Sequence, residues 1–357
     1  MAHNTHKHTI LLTGAAGYVG AMLVDQWSKR DDVKEIIALD MVDPEEFVKD
    51  APKTTWIKTN TADDSWQEQV AAHNPTVVVH TAWQIRNLHW HPKRQWKWNV
   101  TGSENVFTFA FETPSVERLV HFSSASVFGA DPKNEISHTF SDNAPLRDEV
   151  YLYAKEKRVS EEKLREMAKD KRDDLEISIV RPAAISGPRG RYGRIRFGLQ
   201  AALSGKLKGS FVYGIVSVLT SFIPATKKWC RQFIHEDDIA DIITKLTFEG
   251  APEDVALYNL APPGAVVVPE DMGEATGKKV AILPPWVVRL AFFFMRHLTF
   301  GKVPTAAGAW RFYCYPIVMD GSKVTKELGH TYAYSSKEAF TTTEGRYTHV
   351  VPKEGSH

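Results

Sequence analysis

Three groups of residues in this sequence have the types and spacing to do chemistry. The first is Thr13-Gly14-Ala15-Ala16-Gly17-Tyr18-Val19-Gly20, a G-x-x-G-x-x-G spacing that directly follows a short apolar run. Glycines there let the chain turn tightly, bring backbone N–H groups close to a pyrophosphate, and aim the positive end of the next helix at it. The second is Asp40, twenty residues past Gly20 at the end of another apolar run. A carboxylate so placed accepts hydrogen bonds from both hydroxyls of a ribose and repels a 2′-phosphate, so NAD is expected and NADP disfavoured. The third is Tyr151-Leu152-Tyr153-Ala154-Lys155-Glu156-Lys157, in which a tyrosine stands four residues before a lysine twice over. On a helix either pair shares one face. A phenol titrates near pH ~10, and a neighbouring ammonium favours the phenolate, which suits tyrosine to proton exchange with an alcohol or ketone. Spacing alone leaves the register open, and an ordinary surface pair remains an alternative.

These residues need elements to position them. Short β-branched runs alternate with longer helical patterns through the first half, as in parallel βαβ units. Strands are expected at His8–Thr13, Glu35–Asp40, Thr54–Thr59, Thr76–His80, Arg118–Ser123 and Glu176–Arg181. Helices are expected at Tyr18–Lys29, Gln95–Glu112 and Val150–Lys169. Thr-Val-Val-Val-His is nearly continuous in apolar residues, as a strand covered by helices on both faces should be. After Arg181 the regularity fails, and only Arg231–Phe248 and Leu257–Leu260 resemble the earlier pattern.

At 357 residues the chain exceeds one typical core, so two domains or one elaborated domain are expected. Its 43% hydrophobic and 24% charged residues are ordinary globular usage. A formal net charge of +1 gives no support to a nucleic-acid-binding face spread over the whole protein. Two cysteines, Cys230 and Cys314, can form neither a disulfide framework nor a four-thiolate zinc site, and they suit a reducing cytoplasm. The polar amino terminus lacks the apolar core of a secretory signal. Phe211–Ile223 and Trp286–Phe300 are apolar but interrupted, short of the roughly 18 residues a spanning helix requires. Peripheral membrane contact through them stays open, as do pocket walls, a subunit interface and ordinary core.

Taken together, the glycine turn, Asp40, Tyr153/Lys157 and the serine-rich Phe122-Ser123-Ser124-Ala125-Ser126-Val127-Phe128-Gly129 resemble the extended short-chain dehydrogenase/reductases. These form the NAD-dependent epimerase/dehydratase superfamily. Asn99-Val100-Thr101-Gly102, Arg181-Pro182 before Gly187-Pro188, Arg231–Asp238, and Asp320-Gly321-Ser322-Lys323 with Glu327-Leu328-Gly329 extend the resemblance over nearly the whole chain. It implies an α/β fold, a Rossmann-type doubly wound parallel sheet with a smaller, mostly carboxy-terminal substrate-binding domain. The division expected is residues 1–182, with 231–262 returning to them, against 183–230 and 263–357. The resemblance makes Tyr153 the general acid/base, a register favoured by Glu161 eight residues on. Lys157 would hold the nicotinamide ribose and depress the Tyr153 pKa, and Ser124 would hydrogen-bond the substrate oxygen. The cofactor positions expected are Gly14, Gly17, Tyr18, Val19, Gly20, Asp40, Asn60, Thr61, Thr81, Ala82, Trp83, Asn99, Lys157 and Ala184. Phe128 departs from the pattern, standing where the family often has Tyr. A homodimer through the helices of Asn99–Glu112 and Val150–Lys169 is implied as well.

The substrate is less legible. Arg181-Pro182-Ala183-Ala184 lacks the Asn that commonly binds a sugar diphosphate in nucleotide-sugar enzymes and looks more like the hydroxysteroid-dehydrogenase and flavonol-reductase side. Against this, Arg189, Arg191, Arg194 and Arg196 could clamp a diphosphate or a coenzyme A ester, or could line a solvated loop. The substrate contacts expected are Ser124, Phe128, Trp83, Arg189 and Arg191. His89-x-His91 has no third ligand at diagnostic spacing, so no metal is expected. The leading reading is an NAD-dependent oxidoreductase acting on a secondary alcohol or ketone of a bulky, steroid- or flavonol-like small molecule. A nucleotide-sugar epimerase or dehydratase with tightly bound NAD is the alternative, and a non-catalytic NAD-binding regulator is a third class.

Overall fold

The computed structural model of the chain describes residues 7–147, 150–190, 222–298 and 305–351. Arg191, Arg194, Arg196 and residues 211–221 of the first apolar run lie outside them. The first half runs β1 (His8–Thr13), α1 (Tyr18–Trp27), β2 (Val33–Asp40), β3 (Thr54–Lys58), α2 (Trp66–Ala71), β4 (Val77–His80), α3 (Pro92–Trp96), α4 (Gly102–Glu112), β5 (Arg118–Phe122), β6 (Thr139–Phe140), α5 (Leu152–Met167) and β7 (Glu176–Pro182). Beyond it come β8 (Ala184–Ser186), β9 (Phe222–Ala225), β10 (Phe233–His235), α6 (Glu236–Phe248), β11 (Val255–Leu260), α7 (Pro269–Thr276), β12 (Lys279–Ile282), α8 (Pro285–Leu298), α9 (Ala309–Cys314), β13 (Val318–Met319), α10 (Ser322–Leu328) and α11 (Ser336–Thr341).

Seven strands form one sheet in the order β11-β7-β5-β4-β1-β2-β3, and every pairing in it is parallel. This is the doubly wound Rossmann-type sheet expected from the alternating pattern. β1 shows why it is covered on both faces. Ile10 and Leu12 join a core with α1 and α6, whereas Leu11 joins the opposite core with Val78, Leu119 and α4. Pleating sends neighbouring side chains to opposite faces, so a strand between two helical layers is apolar throughout. The chain leaves β1 toward β2 on one side and reaches β4 on the other, so a crevice opens at the carboxyl ends of β1 and β4.

Two local departures from the sequence pattern matter for the site. The helix expected over Gln95–Glu112 begins at Pro92 and contains a π-helical turn at Lys97–Thr101, which carries the buried Asn99. The stretch Arg231–Phe248 divides into β10 and α6, because the His235 imidazole caps α6 by accepting the Asp237 N–H at 3.1 Å. Side-chain amides tie the later segments to one another and to the loop after β5. Asn134 donates to Gly129 and Pro316 carbonyls at 2.9 Å each, and Gln232 brackets Met319 through both its N–H and its carbonyl.

Candidate active site

The glycine turn owes its shape to contacts that side chains would forbid. Gly14 has φ +72°, and a Cβ there would lie 2.5 Å from the Ala82 nitrogen. A Cβ on Gly20 would lie 2.1 Å from the Gly14 carbonyl oxygen, so its absence lets α1 start hard against the turn. Gly17 closes the turn by donating to Gly14 O at 3.0 Å. The first turn of α1 carries no acidic residue and no side-chain cap, which leaves its positive end for an anion. Asp40, at the tip of β2, takes the Ala16 N–H on one carboxylate oxygen at 3.0 Å and the Met41 N–H on the other at 2.7 Å. That fixes the carboxylate at the edge of the turn. The second oxygen also takes the Val42 N–H at 3.2 Å, so the oxygen that meets Ala16 keeps the lone pair for a ribose hydroxyl.

From this turn a cleft of about 360 Å³ extends to α5. Gly14, Gly17, Tyr18, Val19, Asp40, Asn60, Thr61, Thr81, Ala82, Trp83, Asn99, Tyr153 and Lys157 all line it. So do residues the sequence pattern did not single out as contacts, among them Met41, Val42, Ile85 and Ile185. Nothing but position marks these, since an apolar residue on a loop reads the same whether it walls a cleft or not. These walls fit a dinucleotide, with a glycine cradle and helix end for the pyrophosphate, a fixed carboxylate for one ribose and apolar side chains for the flat rings.

At the far end, α5 presents Tyr153 and Lys157 together. Tyr153 faces the cleft, while Tyr151 stands just before the first residue of the helix, its side chain capping nothing, and leans on Phe312 with ring centroids 5.0 Å apart. The phenol of Tyr153 hydrogen-bonds the Ser124 hydroxyl. Ser124 Oγ in turn accepts the Ser126 N–H at 3.2 Å, which leaves its own proton free to donate. Burial raises the Tyr153 pKa, the Ser124 bond pulls it back, and the Glu156 charge raises it further. The expectation that Lys157 depresses the phenol is therefore not met in this state. The Lys157 ammonium instead donates to the Phe122 carbonyl and rests 3.6 Å from the Trp83 ring centroid, where burial lowers its own pKa well below the usual lysine value.

Behind this pair stands a buried network that sequence reasoning missed. Glu156 Oε2 accepts from Asn99 Nδ2 at 2.7 Å and Gln95 Nε2 at 3.0 Å, while Oε1 is buried without a partner. Burial raises the Glu156 pKa against the pull of those two amides and Lys157. Asn99 also takes the Gln84 N–H at 2.7 Å and Gln95 takes the Leu88 N–H at 2.8 Å, so one carboxyl anchors the loop that carries Trp83. His80, at the end of β4, lies between Thr13 Oγ1 at 2.7 Å and Ser103 Oγ at 2.9 Å. Ser103 already donates to Asn99 O at 2.6 Å, so it can only accept from His80 Nε2–H, and His80 Nδ1 accepts from Thr13. Burial, with Lys157 nearby, lowers the His80 pKa to about 3 and keeps the ring neutral. Glu161, which pointed to the Tyr153 register, is wholly buried with Arg181 and takes the Ser123 hydroxyl at 2.6 Å. It holds α5 to the ends of β5 and β7.

Several expected contacts fall elsewhere. Gly20 packs behind the turn and does not face the cleft, and Ala184 pairs with Phe233 in a small sheet while its neighbour Ile185 reaches the cleft. Phe128 is fully buried, stacked on Phe140 at 4.9 Å under the Arg181 guanidinium, so it is core and not a substrate wall. Arg189 is not free to clamp a substrate. Its guanidinium donates to the Tyr18 carbonyl and to Glu45, between the rings of Tyr18, Phe47 and Tyr347. Arg191 lies outside the described residues. Among the described residues no three His, Cys, Asp or Glu side chains gather as metal ligands.

Comparison with known proteins agrees with this geometry. An uncharacterised protein of Mycobacterium tuberculosis is 21% identical over 344 residues, covering 95% of this chain and 84% of its own. The Bordetella bronchiseptica enzyme WbmG, solved with NAD and UDP, superposes with a TM-score of 0.67 at 20% identity over 96% of this chain and 94% of its own. The UDP-glucose 4-epimerase of Thermotoga maritima, solved with UDP-glucose, superposes with a TM-score of 0.65 at 18% identity over 94% and 97%. These two share the fold. The model of one family matches residues 10–261, which span all of the sheet but the first two residues of β1, the glycine turn and Ser124, Tyr153 and Lys157. The chain belongs to the NAD dependent epimerase/dehydratase family.

Proposed function

We propose that this protein binds NAD in the cleft and uses Tyr153, Ser124 and Lys157 to oxidise a secondary alcohol of a nucleotide-linked sugar, within an epimerisation or dehydration cycle. The observation that carries the reading is the placement of the Tyr153 phenol, hydrogen-bonded to Ser124 and beside Lys157, in the same cleft as the glycine turn and Asp40. Bound NAD supplies a hydride acceptor there. Asp40 would hold a ribose of the cofactor, the α1 amino terminus its pyrophosphate, and the Lys157 ammonium the nicotinamide ribose. Ser124 donates to the substrate oxygen and orients it. Tyr153 would act as the phenolate, favoured once a cation stands beside its oxygen: Oη takes the hydroxyl proton as the alcohol is oxidised and gives it back on re-reduction, so the cycle leaves no net proton.

The solved relatives named above support a nucleotide sugar as substrate, and this reverses the order of the two readings drawn from Arg181-Pro182-Ala183-Ala184. One observation still favours the second reading, an apolar alcohol. Trp83 and Tyr151 crowd Tyr153 with aromatic rings, their centroids 6.5 and 5.7 Å from that of Tyr153, and Phe312 backs Tyr151. Incubation with UDP-, GDP- and dTDP-hexoses, followed by NMR of the sugar, separates them. New hexose signals without accumulating NADH are expected. Stoichiometric NADH from an added steroid or aryl alcohol, with every nucleotide sugar inert, would transfer the assignment to the second reading. Tyr153→Phe should lower kcat by about 10²–10⁴-fold while NAD binding persists. Unchanged turnover in that variant would remove Tyr153 from the chemistry.

A further inference from the structure

α8 is the least buried apolar helix among the described residues. Trp286, Leu290, Phe293, Phe294 and Leu298 are 63, 46, 55, 54 and 76% exposed. Their spacing of i, i+4, i+7, i+8 and i+12 places them along one side of the helix. The opposite side is occupied: Val288 is buried, and the Phe292 ring meets Tyr313 of α9 with centroids 5.9 Å apart. So the outward stripe is not core that failed to pack. Arg289 and Arg296 flank it, and His297 lies at its far end.

The charge around this stripe is one-sided. From residue 275 through 319 the sequence contains no Asp or Glu, while Lys278, Lys279, Arg289, Arg296 and Arg311 fall within it. None of Lys278, Lys279, Arg289 or Arg296 meets a carboxylate among the described residues. In a chain of formal net charge +1, such a segment is a local concentration of positive charge along the sequence. A second copy of the same helix would bring these cations face to face, which disfavours α8 pairing with itself. A neutral protein groove would leave them unanswered.

We propose that α8 is a monotopic membrane-docking helix that lies in the interface of an anionic lipid bilayer, with Trp286, Leu290, Phe293, Phe294 and Leu298 among the acyl chains and Arg289 and Arg296 at the phosphates. Aromatic and Leu side chains beside arginines, on a helix too short to span, are the composition that binds such an interface. None of the described helices is long and apolar enough to cross a membrane. The docked surface is also close to the cleft. α9, beneath α8, sets Phe312 against Tyr151, whose ring leans on Tyr153. The inference stands apart from the nucleotide-sugar assignment.

The test is flotation of the full-length protein with vesicles of phosphatidylcholine alone and of phosphatidylcholine mixed with phosphatidylglycerol. Partition onto the mixed vesicles is expected, weakened by salt. Arg289→Gln with Arg296→Gln should weaken it by about thirtyfold, at ~1 kcal/mol per surface cation. Trp286→Ser with Phe293→Ser should weaken it by at least about tenfold. The NAD-induced rise in Tm should persist in both double variants and so report an intact fold. Three results would overturn the proposal. One is no flotation of the wild-type chain with mixed vesicles. Another is equal flotation on both vesicle types with no effect of either double variant. The third is a wild-type oligomer in sedimentation velocity that Trp286→Ser with Phe293→Ser dissolves, since the stripe would then be a subunit contact.

Discussion

Asp40 shows how much one side chain can decide. Its two carboxylate oxygens are already oriented by the Ala16, Met41 and Val42 N–H groups, so a ligand meets a fixed acceptor and not a floppy chain end. The residues that follow, Met41 and Val42, supply no cation for a 2′-phosphate. Asp40→Ala should weaken NAD binding by about tenfold or more and narrow the preference over NADP, measured by titrating both cofactors. An unchanged NAD/NADP ratio would remove Asp40 from that role. Tyr153 carries the complementary lesson. A tyrosine four residues before a lysine suggested an acidified phenol, yet burial raises its pKa and Lys157 is turned to Phe122 O. Spacing places two groups on one face. It does not say which atom each one touches.

At the scale of elements, the turn between β1 and α1 depends on a backbone contact. A methyl on Gly20 must displace either α1 or the Gly14 carbonyl it would strike. Gly20→Ala should therefore cost about 2 kcal/mol or more of stability and weaken NAD binding, even though Gly20 does not face the cleft. Denaturant unfolding with and without NAD checks both effects, and a fully stable variant would show that the turn can give way. The inner strands have a pH signature. His80 is held neutral in the folded protein with a pKa near 3, against 6.5 in the unfolded chain. Below pH ~6.5 the unfolded chain binds the proton and the folded one does not, so stability falls as pH drops and levels near pH ~3. The His80 contribution over that window is about 4–5 kcal/mol. In His80→Asn the acid loss of Tm should be shallower than in the wild type, and an identical acid limb would assign it to other groups. His121, stacked on His80 and also shifted down by burial, acts in the same direction.

For the whole molecule, one residue near the end of the described chain packs against its first helix. Tyr347 is 2% exposed, and its hydroxyl donates to Met22 O of α1 at 3.0 Å, more than 300 positions earlier in sequence. Its ring also flanks the Arg189 guanidinium. Tyr347→Ala should cost about 3 kcal/mol by leaving a cavity beside α1 and removing the hydroxyl's bond to Met22 O, read by thermal unfolding. A change under ~1 kcal/mol would show that the tail docks loosely.

The strands and helices of the first half were legible because their information is local. A run such as Val77–Val79 is apolar in every register, and glycines at 14, 17 and 20 are demanded by backbone proximity whatever surrounds them. The family and its cofactor class follow from that local pattern. Phe128, Arg189 and Glu156 were not legible, because their roles depend on what the fold brings to them from far along the chain. Phe128 lies under Arg181, Arg189 is held by Tyr18 and Glu45, and Glu156 is wrapped by Gln95 and Asn99. A sequence fixes which groups exist and which neighbours share a helix face or a strand edge. Burial and long-range hydrogen bonding, which set a pKa or withdraw a side chain from a cleft, arise only when distant segments pack.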